Sequence, residues 1–295
     1  MRKIYLILPI LAGIMFGSSG IFVRTLTQNG INETTLLFLR FSIAILPLLI
    51  AILLTDKKLL KIELSDLPLF LICSICIIGL NLCYNEAMNS VPLSLAAVLL
   101  SLAPIYVLII AYFLFKENIT RRKLICMFLA ILGCILMTGV LETPLESIPL
   151  FGILSGIGAG LFWAFYLMAS KKSIEMGNHT YTILIYSIVF ITIALIPFTN
   201  FNQITSFISI NPPLRILFLI VHSTFSFALP YIFSTLSLNY MDSGTSSILL
   251  SGAEPLAALL FGLILYLEIP TMLMLIGFIL TVMAMMMLSR KEHLD

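Results

Sequence analysis

The chain has 295 residues, of which 60% are hydrophobic and only 10% are charged, and its mean hydropathy is +1.13. Ordinary soluble domains carry about 25% charged residues. A soluble globule of this size would need far more polar surface to cover its core. The composition therefore excludes a soluble enzyme, a nucleic-acid-binding protein and a disordered protein, and it leaves a multi-pass membrane protein. The net charge of +2 at pH 7 identifies no partner.

Ten apolar runs are each long enough for a membrane span of about 20 residues. Because lipid offers no partner to backbone N–H and C=O groups, each run is predicted to be a helix. The first run follows two cations but is too long for a signal peptide, so we interpret it as an uncleaved helix. The ten predicted spans are 4–24, 34–54, 67–88, 92–114, 122–140, 149–170, 180–199, 214–236, 243–266 and 271–289.

The distribution of Lys and Arg predicts the orientation of these spans. With the N-terminus in the cytoplasm, 13 of the 16 cationic side chains fall in cytoplasmic segments. Arg24 and Arg215 fall on the other side, and Arg40 lies within a span. Cytoplasmic loops of membrane proteins carry an excess of Lys and Arg. We therefore predict a protein of the cell membrane (inner or plasma membrane) with both termini in the cytoplasm.

The two halves of the sequence resemble each other. The block SLAAVLLSLAPIYVLIIAYFLFKENIT at 94–120 aligns with TSSILLSGAEPLAALLFGLILYLEIPT at 245–271. At one offset of 151 residues, the alignment pairs Pro104 with Pro255, Glu117 with Glu268, and Thr120 with Thr271. Several matches at one offset indicate an internal repeat.

Each half, 1–146 and 147–295, contains five predicted spans, so the second half must sit upside down relative to the first. Inverted repeats occur in secondary transporters, because two pseudo-symmetric halves give one state open to each side of the membrane. A duplication without alternating access is the alternative.

These blocks, together with FLRFSIAILPLL in the second span, resemble the EamA-type transporters of the drug/metabolite transporter superfamily, and the resemblance covers nearly the whole chain. It implies an all-α membrane protein with ten transmembrane helices in two inverted five-helix repeats. A central cavity would be lined by spans 1, 3, 4, 6, 8 and 9. Members of the family move small polar metabolites and often export amino acids. Glu86 departs from the family pattern, which more often has an apolar or aromatic residue at that position.

Ionisable residues within spans are the first candidates for function, because an ionised side chain at mid-bilayer costs about 2.5–3.5 kcal/mol on insertion scales. Glu254 and His222 are expected near the midplane, where either could carry a proton and Glu254 could hold a substrate amine. Each could instead be a neutral, hydrogen-bonded structural group. Pro104 and Pro255 each lack a backbone donor and are predicted to break their helices.

Arg40 and Glu86 are expected in the outer part of the membrane. Either charge alone would be costly there, so the two are predicted to pair. The pair could tie the second span to the third, or it could form an external gate that opens when the pair breaks.

Polar, aromatic and small side chains mark further candidate surfaces. We predict cavity lining by residues that share helix faces, namely Asn81, Tyr84 and Asn85 on the third span, Trp163 and Tyr166 on the sixth, and Ser251 beside Glu254 on the ninth. The two aromatic rings could stack on a flat substrate or pack in the core. Glycine faces on spans 1 and 6, formed by Gly13, Gly17, Gly152, Gly156 and Gly160, are predicted to let those two helices approach each other.

The leading hypothesis is a secondary carrier that exports an amino acid or a similar small metabolite by alternating access. The expected partners are a small-molecule substrate and the lipid bilayer, with protons as a candidate coupling ion and no nucleic acid. No ATP-binding loop or metal motif occurs, so no cofactor or metal is expected. The alternatives are a drug or organic-cation exporter that uses Glu254 as counter-charge, and an intramembrane enzyme, which would need a second catalytic partner at matching depth. The sequence indicates no oligomeric state.

Overall fold

The structure is a computed structural model, and it describes residues 5–19, 22, 25, 26, 29–142, 149–267 and 269–289. In this part of the chain, helices α1 to α13 span Ile7–Gly17, Glu33–Thr55, Leu67–Ser90, Leu93–Ser101, Ala103–Phe115, Arg121–Met137, Leu150–Glu175, Thr180–Leu195, Phe201–Ser209, Pro212–Ser223, Leu229–Ser237, Ser243–Tyr266 and Met272–Ser289. Arg24 and Glu268, which the sequence analysis used, lie outside the described residues.

Eight helical stretches in the described chain are long and apolar enough to cross a membrane. They coincide with eight of the ten predicted spans. The other two predicted spans correspond to α1, of which 11 residues are described, and to α6, which has 17 residues. The protein is therefore an all-helical, multi-pass membrane protein.

Helix ends in the two halves use the same local chemistry. Helix α5 ends at Lys116 and α12 ends at Leu267, and both residues have left-handed backbone conformations with φ of 56° and 55°. These two positions are separated by the same offset as the sequence repeat. At the start of α12, the Asp242 side chain accepts a hydrogen bond from the Thr245 N–H at 2.8 Å and caps the helix.

The two repeated prolines have different effects on their helices. Next to Pro104 the helix is interrupted, since α4 ends at Ser101 and α5 begins at Ala103. Pro255 lies within α12, which continues from Ser243 to Tyr266, so the predicted break there is wrong. A proline removes one backbone donor, and a membrane helix tolerates that loss where neighbouring helices hold the flanking turns. Here α1 packs along α12 on both sides of Pro255.

The span predicted at 214–236 is not one regular helix. A π-helical turn at 224–228 separates α10 from α11. Pro230 follows it and cannot donate to the carbonyl of Ser226. Such π turns occur most often at functional sites, and Pro230 was the available signal in the sequence.

Helices from the two halves interleave. Helix α1 packs against α11 and α12, and α7 packs against α3, α4 and α5. Helix α2 packs against α8, and α6 packs against α13. Gly13 and Gly17 face Ala253 and Ala257 of α12, and Gly156 faces Leu99 of α4. The glycine face of α1 therefore packs against α12, which contains Pro255, and the glycine face of α7 packs against α4, which ends before Pro104. The two glycine faces do not pack against each other as predicted.

Candidate functional site

A carboxyl and a guanidinium approach one tyrosine inside the bundle. Tyr231, on α11, is 2% exposed and interacts electrostatically with both Arg40 of α2 and Glu254 of α12. The Asn81 side chain, on α3, is a further partner of the Tyr231 hydroxyl. Glu254 also interacts electrostatically with Tyr84 of α3. Four helices from both halves thus bring acidic, basic and neutral polar groups to one region.

The guanidinium of Arg40 is held by a histidine. Arg40 Nε donates to His222 Nε2 at 3.1 Å. Since Nε2 accepts this bond, the neutral tautomer carries its proton on Nδ1. That Nδ1 is buried and has no hydrogen-bond partner among the described residues. The imidazole is stacked on Phe22, with ring centroids 5.0 Å apart, so His222 is fixed in orientation.

Arg40 and Glu86 have other partners than each other in this structure. Arg40 donates to His222, whereas Glu86 Oε1 accepts from the Ser90 hydroxyl at 2.7 Å, one turn along its own helix. Among the described residues the ion pairs are Lys123–Asp242, Lys171–Glu117 and Lys172–Glu175. The expected link between α2 and α3 is therefore replaced by a link between α2 and α10.

A cluster of aromatic rings packs around Tyr231 in this region. Trp163 and Phe16 meet edge to face with centroids 5.8 Å apart, and Tyr231 contacts both rings. The Tyr166 hydroxyl lies 2.6 Å from the Thr235 hydroxyl, and the Tyr166 side chain is fully buried. The Tyr166 ring packs against Trp163 and Tyr231, and Trp163 is 5% exposed.

The predicted polar lining on α3 and α12 is half-buried. Asn81 donates to the Ile77 carbonyl of its own helix at 2.8 Å. Tyr84 and Asn85 share this face and are likewise half-buried. Ser251 and Glu254 are half-buried on α12, one turn apart.

Burial separates this region from the lipid-facing surface. Many protein atoms surround Glu254, and yet part of its surface is accessible. The same holds for Arg40 and Tyr84. These side chains are therefore surrounded by protein and yet partly accessible. We call this region, formed by Arg40, Asn81, Tyr84 and Glu254 around the buried Tyr231, the polar cleft.

Tyr231, which lies within electrostatic range of both the acid and the base of the polar cleft, was not predicted from the sequence as a site residue. Tyr231 lies in an apolar run, so its only signal was the neighbouring Pro230, which marks an irregular helix. The arrangement offers a cation, a carboxyl and hydroxyl groups to one bound molecule. Within the described residues, no group of three His, Cys, Asp or Glu side chains could hold a metal ion.

Comparison with known proteins places these features in context. A sequence profile of the EamA-like transporter family matches residues 3–139 and again residues 150–290. An uncharacterized transporter of Archaeoglobus fulgidus is 27% identical over 270 residues, which cover 91% of this chain and 90% of that protein. An uncharacterized transporter of Clostridium kluyveri is 25% identical over 230 residues, which cover 74% of this chain and 72% of that protein.

A solved crystal structure has a similar fold. It superposes on this chain with a TM-score of 0.79 and 16% identity, and the match covers 97% of this chain and 96% of the other. At this identity the likeness concerns the fold alone.

Proposed function

This chain belongs to the EamA-like transporter family, and we propose that it is a secondary carrier that exports amino acids or similar small metabolites by alternating access. Its multi-pass helical structure and its transporter relatives make it a membrane transporter rather than an enzyme by family. The observation that carries the substrate assignment is the polar cleft, where Arg40 and Glu254 both lie within electrostatic range of Tyr231.

Ten spans in two inverted halves, 1–146 and 147–295, form the architecture of the proposed carrier. The family profile matches once in each half, and left-handed residues end the corresponding helices at Lys116 and Leu267. The helix contacts also exchange under an inversion: α3 with α7 corresponds to α11 with α1, and α5 with α7 corresponds to α12 with α1. Two equivalent halves support two equivalent states, one open to each side.

A zwitterion fits the charges of the polar cleft. An amino-acid carboxylate would meet the Arg40 guanidinium, which offers several donors in a planar fork. The amine would meet Glu254, and the Tyr231 hydroxyl can donate to one end or accept from the other. The aromatic cluster would take an apolar side chain of the substrate. Placing two opposite charges inside a membrane is costly. A bound zwitterion offsets that cost for both Arg40 and Glu254.

A drug or organic-cation exporter is the second candidate. The observation in its favour is the aromatic cluster beside Glu254, because cations bind over the faces of Trp and Tyr rings. Such a substrate would use Glu254 and Trp163, and it would gain nothing from Arg40.

Transport in proteoliposomes tests both candidates. Vesicles loaded with a zwitterionic amino acid, an amine or a carboxylate would be assayed for exchange, with and without a pH gradient. We expect exchange of zwitterions above the level of empty vesicles. Exchange of amines alone would favour the cation exporter, and no exchange across the panel would contradict the proposal. Dependence on the pH gradient would assign proton coupling, for which Glu254 and His222 are the candidate groups; uncoupled export needs no gradient.

Reporter fusions test the inverted topology. The loop at 116–123 carries Lys116, Arg121, Arg122 and Lys123, whereas the matching loop at 268–271 carries no cation. We expect fusions at the first loop to report the cytoplasm and fusions at the second to report the opposite side. The same side for both loops would contradict two inverted halves.

A further inference from the structure

The loop after α5 directs the carboxylate of Glu117 back into the helix bundle. Lys116 ends α5 in the left-handed conformation, which costs energy for a residue with a Cβ atom. The Glu117 N–H then returns to the Ala111 carbonyl at 3.3 Å. Only 8% of the Glu117 side chain remains exposed. The contacts of Glu117 compensate the cost of this turn.

Glu117 joins three separate elements through one carboxylate. Oε1 accepts hydrogen bonds from the Ser243 N–H at 3.0 Å and from the Ser243 hydroxyl at 2.8 Å, and Oε2 accepts from the Gly244 N–H at 3.3 Å. These groups belong to the first turn of α12, where the helix dipole favours negative charge. Lys171, near the end of α7, forms an ion pair with the same carboxylate.

A second ion pair connects α6 with the start of α12. Lys123 Nζ lies 2.8 Å from Asp242 Oδ1 and donates to the Asn118 carbonyl at 2.8 Å. Burial raises the pKa of Asp242, but the hydrogen bond and charge of Lys123 outweigh it, so the pKa lies below its ordinary value. We refer to Glu117, Lys123, Lys171, Asp242 and Ser243 as the Glu117 cluster. By the distribution of cations it lies on the cytoplasmic side.

The Glu117 cluster closes an end of the bundle where polar side chains are buried. Ser173 lies two residues after Lys171 on α7 and Ser247 lies one turn after Ser243 on α12; both hydroxyls are fully buried and have no hydrogen-bond partner among the described residues. In the polar cleft, by contrast, Asn81 and Glu254 are half-buried. A buried hydroxyl without a partner is unfavourable, so both hydroxyls would gain from water entering this end.

We propose that the Glu117 cluster is the cytoplasmic gate of the carrier, and that Glu117 holds it shut by capping α12 while it pairs with Lys171. This inference rests on the proposed carrier function. Opening separates the Lys171 ammonium from the carboxylate, frees the first turn of α12 and admits water to Ser173 and Ser247. The gate acts on the helix that carries Glu254, so the state of the cytoplasmic end is linked to the substrate site. Glu117 is a positioning residue and does not contact the substrate.

Thiol labelling tests the gate without any substrate. Ser247→Cys places a thiol behind the Glu117 cluster, and a membrane-impermeant maleimide is added to the cytoplasmic face of oriented vesicles. Labelling at position 247 is followed by peptide mass spectrometry, which separates it from the five native cysteines. We expect slow labelling in this background, because the cluster keeps the thiol buried.

Three further substitutions test whether the ion pair between Lys171 and Glu117 is the cause of the slow labelling. Lys171→Met should raise the labelling rate about tenfold, which is a shift of about 1.4 kcal/mol in the closed–open equilibrium, and Lys171→Arg should restore slow labelling. Lys172→Met is the matched control, because Lys172 pairs only within its own helix, with Glu175 at 3.9 Å, and its rate should stay within about twofold. Equal rates for Lys171→Met and Lys172→Met would overturn the proposal.

A second variant covers the case in which Lys171→Met does not fold. Glu117→Gln removes the charge but keeps an oxygen that can accept from the Ser243 N–H, and it should also label faster than the parent. Unchanged labelling in this variant would likewise overturn the gate. Faster labelling together with no exchange of any substrate by the parent protein would reject the carrier function and leave the closing contact standing.

Discussion

The polar cleft and the end of the bundle that holds the Glu117 cluster, the proposed cytoplasmic end, are both rich in polar side chains but differ in how these are paired. At the proposed cytoplasmic end some small hydroxyls pair with each other, as Ser237 and Ser246 do at 2.5 Å, and the helices pack closely around them, whereas Ser173 and Ser247 have no partner among the described residues. In the polar cleft, Arg40 and Glu254 form no ion pair among the described residues and are half-buried.

This difference indicates where charged side chains can be placed in a membrane helix bundle. A hydroxyl can be satisfied by a neighbouring hydroxyl or by a backbone carbonyl, so it costs little when it is buried. A charged group inside the membrane is costly unless water, a counter-charge or a substrate reaches it. Polar packing is thus used at the proposed gate, and accessible charge is kept in the polar cleft.

The largest expected effect comes from neutralising the acid of the polar cleft. Glu254→Gln should abolish transport that is driven by a pH gradient, because the amide cannot carry a proton. The folded protein should be retained, since Gln has the same shape. Flux in proteoliposomes measures the effect, and Glu175→Gln, at the exposed end of α7, is the control that should transport normally. Unchanged, gradient-driven flux in Glu254→Gln would reject this role.

The next largest effect comes from the helix contact behind the polar cleft. In Gly17→Ala, the new Cβ would lie 2.9 Å from the Ala257 Cβ and would meet the Glu254 carbonyl. Overpacking of this kind costs about 1–3 kcal/mol, so the unfolding temperature in detergent should fall by roughly 3–10 °C.

The matched control for this substitution is Gly158→Ala. There the nearest neighbour of an added Cβ is Cys83 Sγ at 3.4 Å, which is an ordinary contact. The unfolding temperature should stay the same or rise, because Ala is the better helix former. Equal losses in both variants would show that α1 and α12 are not packed as closely as described.

A smaller effect is expected from the Tyr231 hydroxyl, which lies within electrostatic range of Arg40 and Glu254 and has Asn81 as a partner. Tyr231→Phe keeps the ring contacts but removes the hydroxyl, and a hydrogen bond of this kind contributes about 0.5–1.5 kcal/mol. The KM for exchange should rise by about threefold to tenfold, with little change in the amount of folded protein. Tyr112→Phe, on the exposed surface of α5, should leave KM unchanged. An unaltered KM in Tyr231→Phe would remove this tyrosine from the binding site.

The smallest effect is expected at the cytoplasmic end. Asp242→Asn keeps a good helix cap but loses the ion pair with Lys123, so the unfolding temperature at pH 7 should fall by about 1–3 °C. Because the pKa of Asp242 is lowered in the folded protein, its contribution is present above the ordinary carboxyl pKa and is lost as the pH falls through the lowered value. Thermal unfolding should thus show a difference that is constant from pH 7 to about pH 5 and that shrinks under more acidic conditions. A difference that vanishes already at pH 6 would contradict the assignment.

Sequence reasoning predicted the spans more accurately than the side-chain partners. Long apolar runs identify membrane helices because the bilayer fixes both their length and their composition. The candidate residues Arg40, Glu254, Asn81 and Tyr84 do share one region. The partner of Arg40 was predicted to be Glu86, and it is His222, because a pairing between helices depends on rotation and tilt that apolar runs do not encode.

The sequence by itself determined that this is a membrane protein of the EamA-like family, which side chains bear charge within its spans, and approximately where the spans lie. These features depend on composition, on local capping and on the bilayer thickness, all of which act along the chain. Only the tertiary structure decided that Glu117 caps α12, that Pro255 leaves its helix continuous, and that Arg40 donates to His222. Those outcomes depend on which helix faces meet, and helix packing in the membrane is set by close contacts of small residues and by hydrogen bonds between helices.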